Sequence, residues 1–332
     1  MYRPWLNSVD LNKRILEIGP LAWPNIIKGQ AKEIFYADVR STDDIKDHYK
    51  NDKNVPQEKI VDIDYVINGG GYSKSLENVD KFDYIIATHV IEHIPQLILF
   101  FQDISNILNP QGKVCLTIPD KRYCFDHYRI PTSFAELYDI YMRRITNSPL
   151  RVLDHFATTT INDPAFWWNN TNNFDQLPKS KEKFDIAKNA YMKTLNGEYI
   201  DAHFSVFTPE TFLLLVYYMI CYNLFSFKCV EFQKTEVNTF EFNCVLEFEP
   251  RVLNEDSIEN KKEKENIINL LIENPDSEYS MMILETVKND LQKSNNELEI
   301  TKNDLQAILS SKSWKITAPL RKIKMVYNKF VK

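Results

Sequence analysis

An open, mostly parallel α/β sheet with its ligand along one edge is predicted by three features of the first 120 residues. Short apolar runs recur at Ile15–Ile18, Ile34–Tyr36, Tyr84–Ala87 and Val114–Ile118. Each run leads to an acid, a glycine or a histidine, and helix-length text or a turn separates one from the next. Seen together, these are buried strands delivering polar groups to a common C-terminal rim.

The stretch RILEIGPLAWP, Arg14 to Pro24, sets the pattern. Its apolar residues Ile15, Leu16 and Ile18 read as a buried strand, and Gly19-Pro20 stops it in a tight turn. Glu17 and Gly19 then stand at the mouth of the ligand site. A helix-length piece precedes EIFYADV, whose Asp38 lies about twenty residues beyond the first strand, where a nucleotide fold puts a ribose-binding carboxylate. KIVDIDYVI is the third strand, with Asp64 at the ligand edge near an adenine. Asp62 and Asp64 could alternatively form an Asp-x-Asp pair holding a divalent metal on a nucleotide-sugar diphosphate. Gly69-Gly70-Gly71 has no Lys-Ser/Thr in phosphate-loop spacing and reads as a loop. The fourth strand ends at Thr88-His89, and Leu97, Phe100, Phe101, Ile104, Ile107 and Leu108 recur at helical spacing behind it. Asn109-Pro110-Gln111-Gly112 is turn text ending that helix. KVCLTIPD delivers Asp120 to the same edge.

Composition bounds the rest. With 332 residues and 44% hydrophobic content, the chain can bury one large core and a smaller appendage. A formal charge of −6 argues against nucleic acid as partner. Five scattered cysteines, Cys115, Cys124, Cys221, Cys229 and Cys244, never form CxxC and fit a reducing cytoplasm. MYRPWLNSVD lacks the apolar core of a signal peptide. The longest apolar run, Phe212 to Tyr222, covers 11 residues against the roughly 20 that span a membrane, so a buried helix is expected.

The ordered motifs LEIGP, Asp38, Asp64, FDYIIATHVIEHI and LNPQGKVCLTIPD resemble the class I S-adenosylmethionine-dependent methyltransferases. They are similar to a subgroup of bacterial surface-polysaccharide assembly in which EIGP replaces the usual Gly-x-Gly turn. The resemblance implies a Rossmann-like, doubly wound, mostly parallel seven-stranded sheet over residues 1–250, with a cap at 131–200. It implies S-adenosylmethionine as cofactor, with Glu17, Gly19 and Pro20 framing its methionine, Asp38 its ribose and Asp64 its adenine. Thr88 and His89 would border the sulfonium. The sulfonium methyl is already activated, so the chemistry needs no metal; a sugar hydroxyl as acceptor would profit from a general base.

Candidates for that base follow the fifth strand. His203, on DAHFSVFTPETF, ranks first, His155 second, and His89 and Asp120 complete the set. The dense segment PDKRYCFDHYR supplies Arg122, Tyr123, Asp126 and Arg129 to bind an anionic or sugar-like acceptor. Residues 131–200, with a helix at Ser133–Arg144 and the cluster Phe166-Trp167-Trp168, would cover the site. Thr208 reads as an N-cap with Pro209 at the first helical position. FSFKCVEFQ and EFNCVLEFE close the sheet as an antiparallel pair.

Residues 251–275 are rich in Glu, Lys and Asn and read as a solvated linker. Over 276–310 a heptad runs through Leu284, Leu291, Leu298 and Leu305, with Val287, Ser294, Thr301 and Ile308 at the second core position, which predicts a coiled coil for self-association or a glycosyltransferase partner. The segment 311–332 interleaves basic and apolar residues, as an interfacial anchor on an anionic membrane does, and is similar to the tails of surface-glycan enzymes. The combined expectation is a methyltransferase acting on a glycan or glycolipid, cytoplasmic and peripheral to the inner face of the membrane. A catalytically inactive scaffold for glycan-synthesis enzymes, or a metal-dependent glycosyltransferase using Asp62 and Asp64, are the alternatives.

Overall fold

The computed structural model describes residues 3–170, 173–250 and 258–273, and within 289–311 all but 290, 291, 294, 295, 298, 305 and 308. Its centre is β1 (Arg14–Ile18), where Ile15 and Leu16 have no exposed surface. On one side lie β2 (Glu33–Asp38) and β3 (Tyr65–Val66); on the other lie β4 (Phe82–Thr88), β5 (Leu108–Pro119), β7 (Glu241–Phe248) and β6 (Phe227–Gln233). The order is β3-β2-β1-β4-β5-β7-β6, parallel except that β7 runs antiparallel to both neighbours. Central strands buried on both faces need apolar residues throughout, and Ile85, Ile86, Ala87, Val114, Cys115, Leu116 and Ile118 supply them.

Register fixes the rim. Ile18 pairs with Ala37 and with Ala87, so Gly19, Asp38 and Thr88 stand in one row at the strand ends, level with Thr117. Asp64 is two residues short of that row, beside Tyr36.

The connections depart from the expected alternation. Residues 19–32 form no helix: Pro20 and Pro24 interrupt any ladder, and Gly19 (φ +64), Leu21 (φ +50) and Gly29 (φ +97) leave the right-handed region. The first helix, α1 (Thr42–Tyr49), comes only after β2, capped by Ser41. The third strand shrinks to two residues. Gly69-Gly70-Gly71 opens α2 (Gly71–Ser75), whose Tyr72 and Ser73 N–H groups donate to Asp103. The next helix, α3 (Leu97–Ser105), ends earlier than its apolar spacing predicts. Asn109–Gly112 is looped out within β5, since Phe82 pairs with Leu108 but Tyr84 with Lys113. A Cβ on Gly112 would meet the Asn109 carbonyl at 2.8 Å, so the bulge requires glycine.

Between β5 and the last strands, α4 (Phe134–Arg143), α5 (Pro149–Thr158), α6 (Pro164–Asn169) and α7 (Lys181–Leu195) occupy the span expected as a cap. Val152, Ala190, Ala202 and Phe204 form its own small core. The apolar run is α8 (Pro209–Cys221), capped by Thr208 and buried along most of its length. No helix of the described residues is long and apolar enough to cross a membrane.

The stretch expected as a solvated linker carries α9 (Ile258–Glu273), which packs against α8 and β6. Ile267, Ile268 and Leu271 are buried at i, i+1 and i+4 on one helical face, a signal diluted by the surrounding charge. Glu263 accepts the Cys229 N–H at 2.8 Å and Asn266 donates to the Cys229 carbonyl at 2.9 Å, which covers the outer edge of β6. The compact unit therefore runs to Asp276 rather than to residue 250, and a second unit spans Ser277–Lys332. Within that second unit the described residues of 289–310 are helical, with Ile300 and Leu309 exposed. Nearly all the heptad positions and the tail 312–332 lie outside the described residues.

Candidate active site

The cofactor side of the rim is built around backbone positions. Gly19 adopts φ +64, and a Cβ there would approach Val90 Cγ2 to 3.2 Å, so a larger residue would be strained at this turn. Beneath it Glu17 is buried. Its Oε1 accepts from Asn25 N at 2.7 Å and Asn25 Nδ2 at 2.8 Å, and its Oε2 accepts from Ile26 N at 3.3 Å. Burial pushes this carboxyl up to about 6 against those donors. Glu17 therefore holds the 20–27 loop where a helix N-terminus would otherwise stand, and is a positioning residue. Asn25 ties that loop onward, donating to Thr88 Oγ1 at 3.0 Å and accepting from Arg3 at 2.8 Å.

Asp38 ends β2 with Oδ1 accepting the Arg40 N–H at 2.9 Å; burial and then the nearby Asp201 charge raise its carboxyl above the usual range. Asp64 does not join it. Lys28 Nζ donates to Asp64 Oδ1 at 2.7 Å and Tyr36 N to Oδ2 at 2.8 Å, which locks the β2–β3 junction instead of facing a ligand. The same lysine disposes of an Asp62/Asp64 metal pair.

The acceptor side is built from buried charge. His89, at φ +51, sits between Glu241 (Nε2 to Oε2, 2.8 Å) and Glu92 (Nδ1 to Oε1, 3.4 Å) and stacks on Phe240. Burial would depress its pKa, but the two carboxylates outweigh it and raise it to about 9. His89 is a held imidazolium, unable to serve as base near neutral pH. His203, buried, hydrogen-bonds through Nδ1 to Asp126 Oδ2, and Arg129 NH1 donates to Asp126 Oδ1 at 2.9 Å. Although burial raises the Asp126 carboxyl, His203 and Arg129 bring it down to about 2. His155 accepts the His203 N–H on Nδ1 at 3.3 Å, which puts its proton on Nε2. Burial, then His203 and Arg129, lower it to about 3, so His155 is a neutral support for the His203 backbone.

The other expected acceptor contacts are engaged in structure. Asp120 is fully buried and receives Arg122 Nε at 2.9 Å, Arg122 NH2 at 2.6 Å and Thr235 Oγ1 at 2.6 Å. Tyr123 stacks on Trp168 at 3.9 Å, and Arg129 is buried between Asp126 and Asp154. These groups shape the wall; they do not present free faces to a sugar.

Sequence reasoning passed over Glu92, His93, Asp201, Asn25, Arg3 and Glu241. Glu92 and His93 were visible as a Glu-His pair after a strand end, the one available signal. The others are brought in from distant chain positions.

Residues 9–151 match the family model described as Methyltransferase domain. A search of curated proteins returned no match. Among solved structures the chain is similar to an S-adenosylmethionine-dependent methyltransferase from Methanosarcina mazei, at 14% identity over 76% of this chain and 99% of that one, TM-score 0.37. It is similar also to the DhpI–SAH complex (10% identity, 74% and 81% covered, TM-score 0.36) and to a methyltransferase from Clostridium acetobutylicum (8% identity, 74% and 87% covered, TM-score 0.33). With the family match on the strand order β3-β2-β1-β4-β5-β7-β6, residues 9–151 are a methyltransferase domain and S-adenosylmethionine is its cofactor.

Proposed function

We propose that this chain methylates a hydroxyl group of a glycan or glycolipid in cell-surface polysaccharide assembly. The row of Gly19, Asp38 and Thr88 fits the cofactor, with Gly19 admitting a close backbone approach and Asp38 placed for ribose hydroxyls. The cofactor supplies a sulfonium-bound methyl that leaves a neutral thioether behind.

The chain's own part is to position the acceptor and take its proton. His203 carries the reading: Asp126 holds its Nδ1, Arg129 holds Asp126, and the open Nε2 can accept the hydroxyl proton as the oxygen–methyl bond forms and the sulfur–methyl bond breaks. The α4–α7 segment would cover that step. The basic tail 311–332 supports attachment to the anionic inner face of the cytoplasmic membrane, and the heptad at 276–310 supports self-association or a glycosyltransferase partner.

Incubating the chain with methyl-labelled cofactor and the lipid-linked and polymer fractions of the source cell tests the proposal. Label in a glycan fraction, lost on His203→Ala, is expected; label only in small molecules refutes the acceptor class. Truncation at Ser311 that leaves the protein in the membrane fraction refutes the anchor. The helix-free 19–32 crossover favours the scaffold as second reading, and calorimetric titration with S-adenosylmethionine separates them, because a scaffold need not bind it.

A further inference from the structure

We infer that Glu92, His93 and His203 hold one divalent first-row transition-metal ion. Their ligand atoms lie within 4.8 Å of one another, on the acceptor side of the rim. Three observations point to a cation there.

Glu92 is buried, 1% exposed, yet neither carboxylate oxygen receives a hydrogen bond. A buried carboxylate left without donors is costly unless a cation answers it. His89 approaches Oε1 alone, at 3.4 Å, which leaves Oε2 for an ion.

Each histidine is oriented by a carboxylate of its own. His93 Nδ1 pairs with Asp201 Oδ1 at 3.0 Å, and His203 Nδ1 pairs with Asp126. Nε2 remains the open nitrogen on both rings, whose centroids stand 4.7 Å apart, edge to face. A carboxylate on the far nitrogen is how proteins fix the tautomer and direction of a metal-binding imidazole. The network Arg129–Asp126–His203 and Asp201–His93 has that form twice.

The donor set selects the metal class. Two imidazoles and one carboxylate suit zinc, iron(II), cobalt or manganese, whereas calcium and magnesium prefer oxygen alone. Metal–nitrogen bonds of about 2.1 Å require the ligand atoms to draw in from their present spacing by side-chain rotation. The His93 side chain is 33% exposed and gives the ion a way in. Three ligands from one side leave coordination positions open for an acceptor hydroxyl, whose proton would then pass to water. In the loaded site His203 is a ligand, and the ion takes over the ionisation that Nε2 performs without it. Ion binding stands on the cluster alone; this catalytic use rests on the proposed function.

The test strips the full-length chain with a chelator and titrates it with cobalt(II), reading visible ligand-field absorption, with zinc as competitor. One ion per chain is expected, displaced by equimolar zinc and accompanied by a rise in Tm. His93→Ala and His203→Ala should abolish the spectrum, Asp201→Asn should weaken binding about 10–100-fold, and His48→Ala, at an exposed position on α1, should leave it intact. Circular dichroism confirms that each variant folds, and the unmutated chain's spectrum and Tm shift decide the matter if one does not. No cobalt spectrum in the unmutated chain, or an equal one in folded His93→Ala/His203→Ala, overturns the inference. A bound ion with no methyl incorporation sinks the proposed function alone; full activity in ion-free protein sinks the ion's catalytic use alone.

Discussion

The two sides of the rim reach their geometry by opposite means. Around β1 and β2 the site is made of backbone: a left-handed Gly19, a strand end at Asp38, and one buried acid, Glu17, spent on holding a loop. Around β4, β5 and the cap it is made of charge, in two runs: Asp154–Arg129–Asp126–His203, and Glu92–His89–Glu241. Glu92 is close to His203 by the ligand-atom spacing given above. A backbone site tolerates side-chain change and fails on conformation. A charge network fails when one member is removed, because its partner is then buried unpaired.

The sharpest way to break that contrast is His203→Ala, which should lower kcat about 10²–10⁴-fold while leaving cofactor affinity by calorimetry unchanged. Loss of cofactor binding instead would mean that the two sides are not separable. Next, Arg129→Met leaves Asp126 with His203 as its remaining partner in the interior and should cost about 3–5 kcal/mol in urea denaturation.

Glu17 offers a pH signature on the other side. Its carboxyl is raised from 4.5 to about 6, so the folded state prefers it protonated. The cost of ionising it is absent below the unfolded value and complete above about 6, so stability falls as pH rises through that window. Relative to Glu17→Gln, the unmutated protein should lose about 2 kcal/mol from well below pH 4.5 to well above pH 6, most of it within that window; a flat difference would place the proton elsewhere. Gly19→Ala should weaken cofactor binding about tenfold, from a left-handed cost of about 1–2 kcal/mol. Smallest of all, Asp64→Asn should change cofactor affinity less than about twofold, since its oxygens serve Lys28 and Tyr36, whereas Asp38→Asn should cost about 1 kcal/mol of binding.

The fold was legible where local sequence carries a strong local cause. Ile15–Ile18 and Tyr84–Ala87 are apolar enough to be buried strands in any context, and Thr208-Pro209 begins a helix by capping chemistry alone. Reading failed where a local signal was overruled or diluted. The 19–32 crossover has helical length but two prolines, and α9 hides its apolar stripe among lysines and glutamates. In the site, the places of Gly19 and Asp38 at the rim were legible because a strand end marks each.

By itself, then, the sequence determined the order of strands, the rim they share and the chemistry available along it, because hydrophobic period and turn residues act over a few positions. Only the tertiary structure decided which charges meet. Asp126 finds His203 across 77 residues and Arg3 finds Glu241 across the sheet, so Arg122, Tyr123 and Arg129 become wall. Glu92 becomes a buried carboxylate that receives no hydrogen bond and has His89 beside one oxygen only. Whether a polar residue binds a ligand or its neighbour depends on which partner the burial of the chain leaves within reach, and no local pattern encodes that distance.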